Sequence, residues 1–486
     1  MRSIRSIGVV VAALVVSGSL AVLALAAAGA SGKEPPGRVV AVIPRDRGGS
    51  NTGTCFWGQL YDQFTRNIIW PDTNTAFPNT IISIPSGGKL VLHGQFPHAR
   101  FFSFTVSSLA GVIRSTISDA DIVPDPGSIN PYVAGANRNA SNRSFTVTVL
   151  NEVPPSSGPR APNTVYGGAT ETAPGAEMQL VERIYLADQG LTYQGGVRVP
   201  APTYIAPDGT VSTGDAACVA VDAVPGVQTA PNTNPIAWPE TTILRLLALP
   251  KTAAHRNNPA VNPPVWYKSI GNDWWLAPYW AGTPLAYKIA ALPFGTSFGL
   301  AANPASSYAF TWLDRDFGPN RNGRNIAVLR GRLPTTPDTY FRNRTMQGGT
   351  QLRYWGFCNN EGLPSGAADL CLADQSIAIN RQRFYTIVLS LPQDRPRNAS
   401  RKCGVTWMNY GTRGDGYTRP RQTLVYFRNV VVGHTSFPAA LQNIPNPTTP
   451  KENVAFPETM KKLMGPYLPT VTYTSPRRFE KLGCPA

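Results

Sequence analysis

Histidine is the side chain best suited to acid–base work near neutral pH, and this chain of 486 residues has four: His93, His98, His255 and His434. In Phe96-Pro97-His98-Ala99-Arg100, His98 stands two residues before an arginine and five after His93. His98 and Arg100 could form a general base or an anion-binding pair, with Asp72 of the turn Pro71-Asp72-Thr73 orienting the imidazole. A structural role is the plainer reading, because a matching stretch later in the chain opens on Arg353 and has no histidine. A hydroxyl nucleophile has one formal match, Gly295-Thr296-Ser297-Phe298-Gly299, which spells G-x-S-x-G. That elbow needs a buried strand before it and a helix after it. Pro293 and Pro304 around Ser297 favour a turn instead, and no histidine is paired with Ser297 by spacing. Carboxylates gather at Asp119, Asp121 and Asp125 and again at Glu171, Glu177 and Glu182. Glycoside hydrolysis uses two carboxylates at a fixed gap, with Asp121 the candidate here, but acidic residues in turns usually bond their own backbone. Calcium at the aspartate group would depart from EF-hand spacing.

Binding chemistry concentrates elsewhere. Between Trp266 and Trp280 lie four of the ten tryptophans, Trp266, Trp274, Trp275 and Trp280, together with Asp273 and Tyr279. Exposed rings of this kind stack on sugar faces or flat apolar ligands, with Asp273 bonding hydroxyls. Packed rings would instead fill a core between two domains.

The elements that must position these groups are strands. Segments rich in Phe, Val, Thr and Tyr alternate with period two between Gly, Pro and Asn. They recur in order. An apolar strand ending near Gly94 and Pro97 leads to Arg100-Phe101-Phe102, then Asp119, then Phe145 to Val149, then Asn163 to Gly167, then Met178 to Arg183. A second series runs from Gly331 and Pro334 to Arg353-Tyr354-Trp355, then Asp374, then Tyr385 to Leu389, then Gly404 to Trp407, then Thr423 to Arg428. An ordered recurrence of this kind indicates an internal duplication. The expected fold is all-β, two related antiparallel β-sandwich or jelly-roll-like units, with short helices at Pro239–Leu249, Leu285–Leu292 and Pro457–Met464.

Composition agrees. Forty-six prolines and 44 glycines, with 15% charged residues, suit short strands and many turns better than helices. Arg2 and Arg5, the apolar run Ile7 to Leu25 and the small residues around Ala28 to Ala30 form a signal peptide or an uncleaved anchor over 1–30, the one route to a membrane. The remaining divisions are a first unit at 31–205, a Pro- and Trp-rich connector at 206–300, a second unit at 301–435 and an irregular tail at 436–486. Six cysteines in an exported chain imply disulfides, Cys358 with Cys371 foremost because each flanks a strand across one short connection. No C-x-x-C and no zinc-spaced histidines occur, so neither metal nor other cofactor is expected. The formal charge of +16 would draw the chain to anionic surfaces, while export and the lack of a recognisable module count against nucleic acid.

The stretch Arg100 to Val199 resembles the β-sandwich domain of unknown function 1214, usually found beside the domain numbered 1254. The likeness lies in Phe101 to Phe104, Ser144 to Val149, Asn163 to Gly167, and Val181 to Tyr185 followed by Gly195, Gly196 and Pro200; Arg353 to Arg428 follow the pattern again. The segments Arg330 to Thr339 and Arg353 to Cys358 are similar to those of secreted actinobacterial proteins without assigned function. Neither likeness implies a reaction. The expected function is an extracytoplasmic binding or envelope-associated protein contacting a carbohydrate or apolar ligand through the aromatic tract. The alternative is a secreted hydrolase of glycosidic or ester bonds working between the units.

Overall fold

The structure, a computed structural model, describes residues 54–58, 67, 70–108, 113–157, 159–168, 176–225, 260–268, 303–320, 322–361, 367–412, 414, 419–446 and 450–484. The leader, the helices expected at Pro239–Leu249 and Leu285–Leu292, and most of the connector lie outside these residues.

The first half supplies β1 (Thr75–Ala76), β2 (Asn79–Ile82), β3 (Lys89–Gln95), β4 (Ala99–Ser108), β5 (Ile113–Ser118), β6 (Ser144–Leu150), β7 (Thr164–Tyr166), β8 (Met178–Ala187), β9 (Ala201–Ile205), β10 (Val211–Thr213) and β11 (Val224–Pro225). The second supplies β12 (Tyr267–Lys268), β13 (Ser306–Asp314), β14 (Ile326–Arg332), β15 (Tyr354–Asn360), β16 (Ala368–Ala373), β17 (Phe384–Ser390), β18 (Val405–Asn409), β19 (Gln422–Val430) and β20 (Thr470–Thr474). Among the described residues there are three α-helices: α1 (Asp215–Ala220), α2 (Pro450–Met464), which includes the expected Pro457–Met464, and α3 (Pro476–Glu480). Among the described residues no helix is long and apolar enough to cross a membrane.

The protein is all-β, and each half is a pair of sheets. In the first, the orders are β11-β2-β8-β4-β5, with β1 added to β8, and β10-β9-β3-β6-β7; in the second, β12-β13-β19-β15-β16 and β18-β17-β14-β20. Without the short strands β1, β10, β11 and β12, the two halves have one topology. β2-β8-β4-β5 corresponds to β13-β19-β15-β16, and β9-β3-β6-β7 to β20-β14-β17-β18. All their pairings are antiparallel except β6 with β7 and β17 with β18, which occupy equivalent places. Local devices match too. Phe145 faces Gly94 across β3 and β6, and Tyr385 faces Gly331 across β14 and β17. A Cβ on either glycine would fall within 2.7 Å of the facing aromatic side chain, so the ring takes the space that the glycine leaves. Asn163 Oδ1 accepts from the Val123 N–H at 2.7 Å, as Thr406 Oγ1 accepts from the Ala378 N–H at 2.9 Å.

Each sandwich has its own core. Leu90, Leu92, Phe102, Phe104, Phe145, Val147 and Leu180 meet between the first pair of sheets. Leu329, Trp355, Phe357, Ile387, Leu389, Val425 and Phe427 meet between the second. The outer faces of the sheets holding β4 and β15 then pack together through Phe101, Tyr185, Tyr354 and Val430, giving four layers. Burial on both sides explains why β8, β15 and β19 are almost wholly buried, while β6, with one open face, alternates cleanly.

Two boundaries differ from the sequence expectation. The first sandwich continues past residue 205, because β10 pairs with β9, β11 pairs with β2, and Cys218 on α1 is bonded to Cys55. The tail beyond 435 is not irregular. Its β20 pairs with β14 from Ile326 to Arg330, covering what would be an open sheet edge, and a Cys403–Cys484 disulfide ties down the end. Cys358 and Cys371 are bonded as expected, directly opposite each other on β15 and β16.

Candidate functional site

Arg100, at the start of β4, is fully buried, and its Nη1 donates to both carboxylate oxygens of Asp374 at 3.0 and 2.9 Å. Its remaining nitrogens reach Thr339 and Gln375, so every partner belongs to the second sandwich. The reverse contact is also made. Arg353, just before β15, donates from Nη2 to Asp119 Oδ1 at 3.1 Å. Each aspartate sits on a 3-10 turn, Asp119–Asp121 or Asp374–Ser376, and its other duty is to its own sandwich: Asp119 accepts the Phe102 N–H at 3.0 Å, and Asp374 the Trp355 N–H at 3.1 Å. This reciprocity is what a twofold interface between equal partners produces. Burial pushes the Asp119 carboxyl up to about 6, against the opposing pull of Arg353 and the Phe102 N–H. Asp121, on the same turn, is exposed and stands outside the pair.

A second buried cluster lies further along the same seam. Asn67 and Thr73 lie against the edge strand β16. Asn67 exchanges hydrogen bonds with Ala368, and Thr73 with Cys371. Asp72 is thereby fully buried, accepting from Tyr354 Oη at 2.8 Å and from the backbone and side chain of Asn74 at 3.0 Å, with Arg428 Nε 3.4 Å away. The Arg428 guanidinium lies 5.0, 5.2 and 5.8 Å from the ring centroids of Tyr308, Tyr426 and Tyr185, a desolvated aromatic box around a paired cation. Asp72 also lies within 4.8 Å of the Cys358 and Cys371 sulphurs. Those sulphurs are joined to each other, so they offer no thiolate to a metal.

His98 therefore has neither expected partner: Asp72 and Arg100 are committed to Arg428 and Asp374. Arg143 reaches it instead, its Nη1 2.9 Å from Nδ1 and 2.7 Å from Nε2. Arg143 also donates to the carbonyls of Phe96, Pro97 and Arg138. Arg138, in turn, is paired with Asp188. The loop Asp188–Gly196 closes on the histidine backbone, with His98 N–H donating to Gly195 O at 3.0 Å. Gly195 has a φ of +68°, and a Cβ there would lie 2.8 Å from His98 N, so glycine is needed at this contact. Half-burial and the charges of Arg143, Arg138 and Arg342 lower the His98 pKa to about 4. The ring is thus neutral at physiological pH.

The carboxylate group Glu171, Glu177 and Glu182 disperses: Glu177 is exposed, Glu171 lies outside the described residues, and Glu182 is buried. Register places Glu182 opposite Phe104, where the second sandwich pairs Phe427 with Phe357. Among the described residues its Oε2 has no hydrogen-bond partner, and burial raises its pKa to about 8. Of the aromatic tract, Trp266 is a core residue, its indole N–H bonded to Pro469 O at 2.7 Å and its ring against Phe427. Asp273, Trp274, Trp275, Tyr279 and Trp280, like Ser297, lie outside the described residues. Sequence reasoning missed Arg138, Arg143, Arg342 and Arg428 as site-forming residues. The recurrence of Arg100 with Arg353 and of Asp119 with Asp374 was visible, but not that each arginine crosses to the other sandwich's aspartate.

No protein-family profile and no curated protein matches the chain. Among solved structures, it is similar to an uncharacterised protein of Burkholderia cenocepacia, at 12% identity and a TM-score of 0.37 over 85% of this chain and 79% of that one. It is also similar to the VPA0106 protein of Vibrio parahaemolyticus, at 11% identity and a TM-score of 0.34 over 76% of this chain and 88% of that one.

Proposed function

We propose that the chain is an extracytoplasmic binding protein, a double β-sandwich that carries a carbohydrate- or apolar-ligand platform in the Asp273 to Trp280 part of its aromatic tract. The observation that carries this reading is the fate of the candidate catalytic groups. Arg100 is committed to a buried ion pair and Asp72 to a buried cluster, and His98 is ringed by guanidinium groups instead of being oriented by a carboxylate. These arrangements position sandwiches and suit binding better than acid–base turnover. Three disulfides support folding outside the cytoplasm. Trp266, fixed in the second core, anchors one end of the tract. Descent of the two sandwiches from one duplicated unit, and kinship with the domain of unknown function 1214, belong to the same proposal; the shared strand order and the reciprocal Arg–Asp pairs support the first.

Glycan-array and apolar-ligand screening of the secreted chain tests the function. Trp274→Ala and Trp275→Ala should each weaken binding at least tenfold without changing the thermal midpoint. Unchanged binding in both variants, or turnover of a glycosidic or ester substrate by the unaltered chain, would reject it.

A further inference from the structure

We infer that the His98 cluster is a binding site for a compact oxyanion, a carboxylate or phosphate group, built from both sandwiches. The charge inventory is the first reason. Three guanidinium groups, those of Arg138, Arg143 and Arg342, act on His98, and among the described residues the one carboxylate joined to them is Asp188, already paired with Arg138. Arg143 is buried, and its described hydrogen-bond partners are three carbonyls and a neutral imidazole; the carboxylate that acts on it, Asp188, is bonded to Arg138. Two buried cations that share one carboxylate are costly to hold, and an arriving anion relieves that cost.

The second reason is the placement of Arg342. It comes from the long loop between β14 and β15 of the second sandwich and is exposed. Its φ of +62° is a conformation that non-glycine residues adopt at a cost. That backbone directs Nε to Gln189 O at 2.9 Å, within the loop that folds over His98. Its two terminal nitrogens have no acceptor among the described residues, and they present the forked pair of donors that carboxylates and phosphates match. His98 is only half-buried, so the imidazole is within reach of solvent. An anion bridging Arg342 and the His98 ring would favour protonation of the ring, turning a neutral acceptor into a donor.

Calorimetric titration of the mature full-length chain with inorganic phosphate and with acetate, alongside the His98 ring-proton shift by NMR, tests this. Saturable binding of at least one anion is expected, with the His98 signal moving and its pKa rising. His98→Gln identifies the signal. Arg342→Ala, which removes a single described hydrogen bond, should weaken binding at least tenfold at an unchanged thermal midpoint, and Arg342→Lys should restore part of it. If phosphate alone binds, the site selects phosphate; if acetate binds comparably, it recognises the pair of anionic oxygens that carboxylate and phosphate share. Absence of saturable binding for both anions, a His98 signal that ignores them, or full affinity in Arg342→Ala would overturn the inference.

Discussion

Arg100 and Asp374 meet where neither side chain touches water, so removing one strands the other as a buried charge. Arg100→Leu should cost about 3–5 kcal/mol in denaturant unfolding, whereas Arg100→Leu with Asp374→Leu should recover part of the loss, because two apolar groups replace a desolvated pair while the Trp355 N–H loses its acceptor. A double mutant no more stable than the single would show that the arginine acts through packing. Glu182 supplies a different test. Its folded pKa of about 8 lies above its ordinary 4.5, so folding favours the protonated acid and stability declines as pH rises between those values. Asp119, raised from 3.8 to about 6, acts in the same direction at lower pH. His98, lowered from 6.5 to about 4, opposes them between those limits by adding stability as pH rises. Above pH 6.5 only Glu182 of the three still titrates. Glu182 should therefore contribute a loss of about 2 kcal/mol between pH 6.5 and 8, at roughly 1.4 kcal/mol per unit, read as the difference between the unaltered chain and Glu182→Gln. The difference is needed because Lys268, lowered from 10.5 to about 8 by burial, begins to act in the opposite direction at the top of this window. A pH-independent difference across this window would mean that water or an unassigned partner reaches the carboxylate.

At the scale of elements, the two sandwiches differ mainly in where their long loops fall. The first carries residues 122–143 between its 3-10 turn and β6, where the second has only 377–383; the second carries 333–353 between β14 and β15, where the first has 96–98. The two long loops grip each other. Arg138 N–H donates to Arg344 O at 2.7 Å and Gly135 N–H to Met346 O at 2.8 Å, around an antiparallel bridge between Asn137 and Thr345. Met346 is thereby buried in the first sandwich's core beside Tyr132. Met346→Ala should cost about 2–4 kcal/mol although it lies in a loop of the other sandwich, a value to be read from chemical denaturation. A loss below about 0.5 kcal/mol would place Met346 at the surface. Such contacts were not legible in the sequence, because loop pairing has no period and its partners stand some 200 residues apart. Strands with a buried face were legible, and so was their order of recurrence, since period two and flanking Gly and Pro are local signals. β20 shows the limit. Thr470-Val471-Thr472-Tyr473-Thr474 does alternate, but Pro469 and Pro476 around it made the tail read as irregular. His98 was singled out for its chemistry, yet its real neighbours, Arg138, Arg143 and Arg342, come from two loops whose closure no spacing reveals.

For the whole molecule, the covalent links and the packing act at different levels. Cys55–Cys218 closes on the first sandwich, and Cys358–Cys371 and Cys403–Cys484 lie within the second, so no disulfide crosses the seam. Each sandwich also has a self-contained apolar core. What couples them is the back-to-back face of Phe101, Tyr185, Tyr354 and Val430, the two reciprocal Arg–Asp pairs, the Asp72–Arg428 cluster and the paired loops. Unfolding either sandwich alone would expose that apolar face and strand at least one member of each ion pair in the survivor. The cost exceeds what a free-standing sandwich could regain, so the oxidised protein should melt in one calorimetric transition, with equal calorimetric and van't Hoff enthalpies. Arg100→Leu with Arg353→Leu cuts both reciprocal pairs while leaving the cores and disulfides intact. In that variant the transition should broaden or divide in two. Two transitions in the unaltered chain would show that the seam couples the sandwiches weakly. A single sharp transition persisting in the double variant would instead assign the coupling to the aromatic face and the loop pairing, leaving the reciprocal charges to fix how the two sandwiches register against each other.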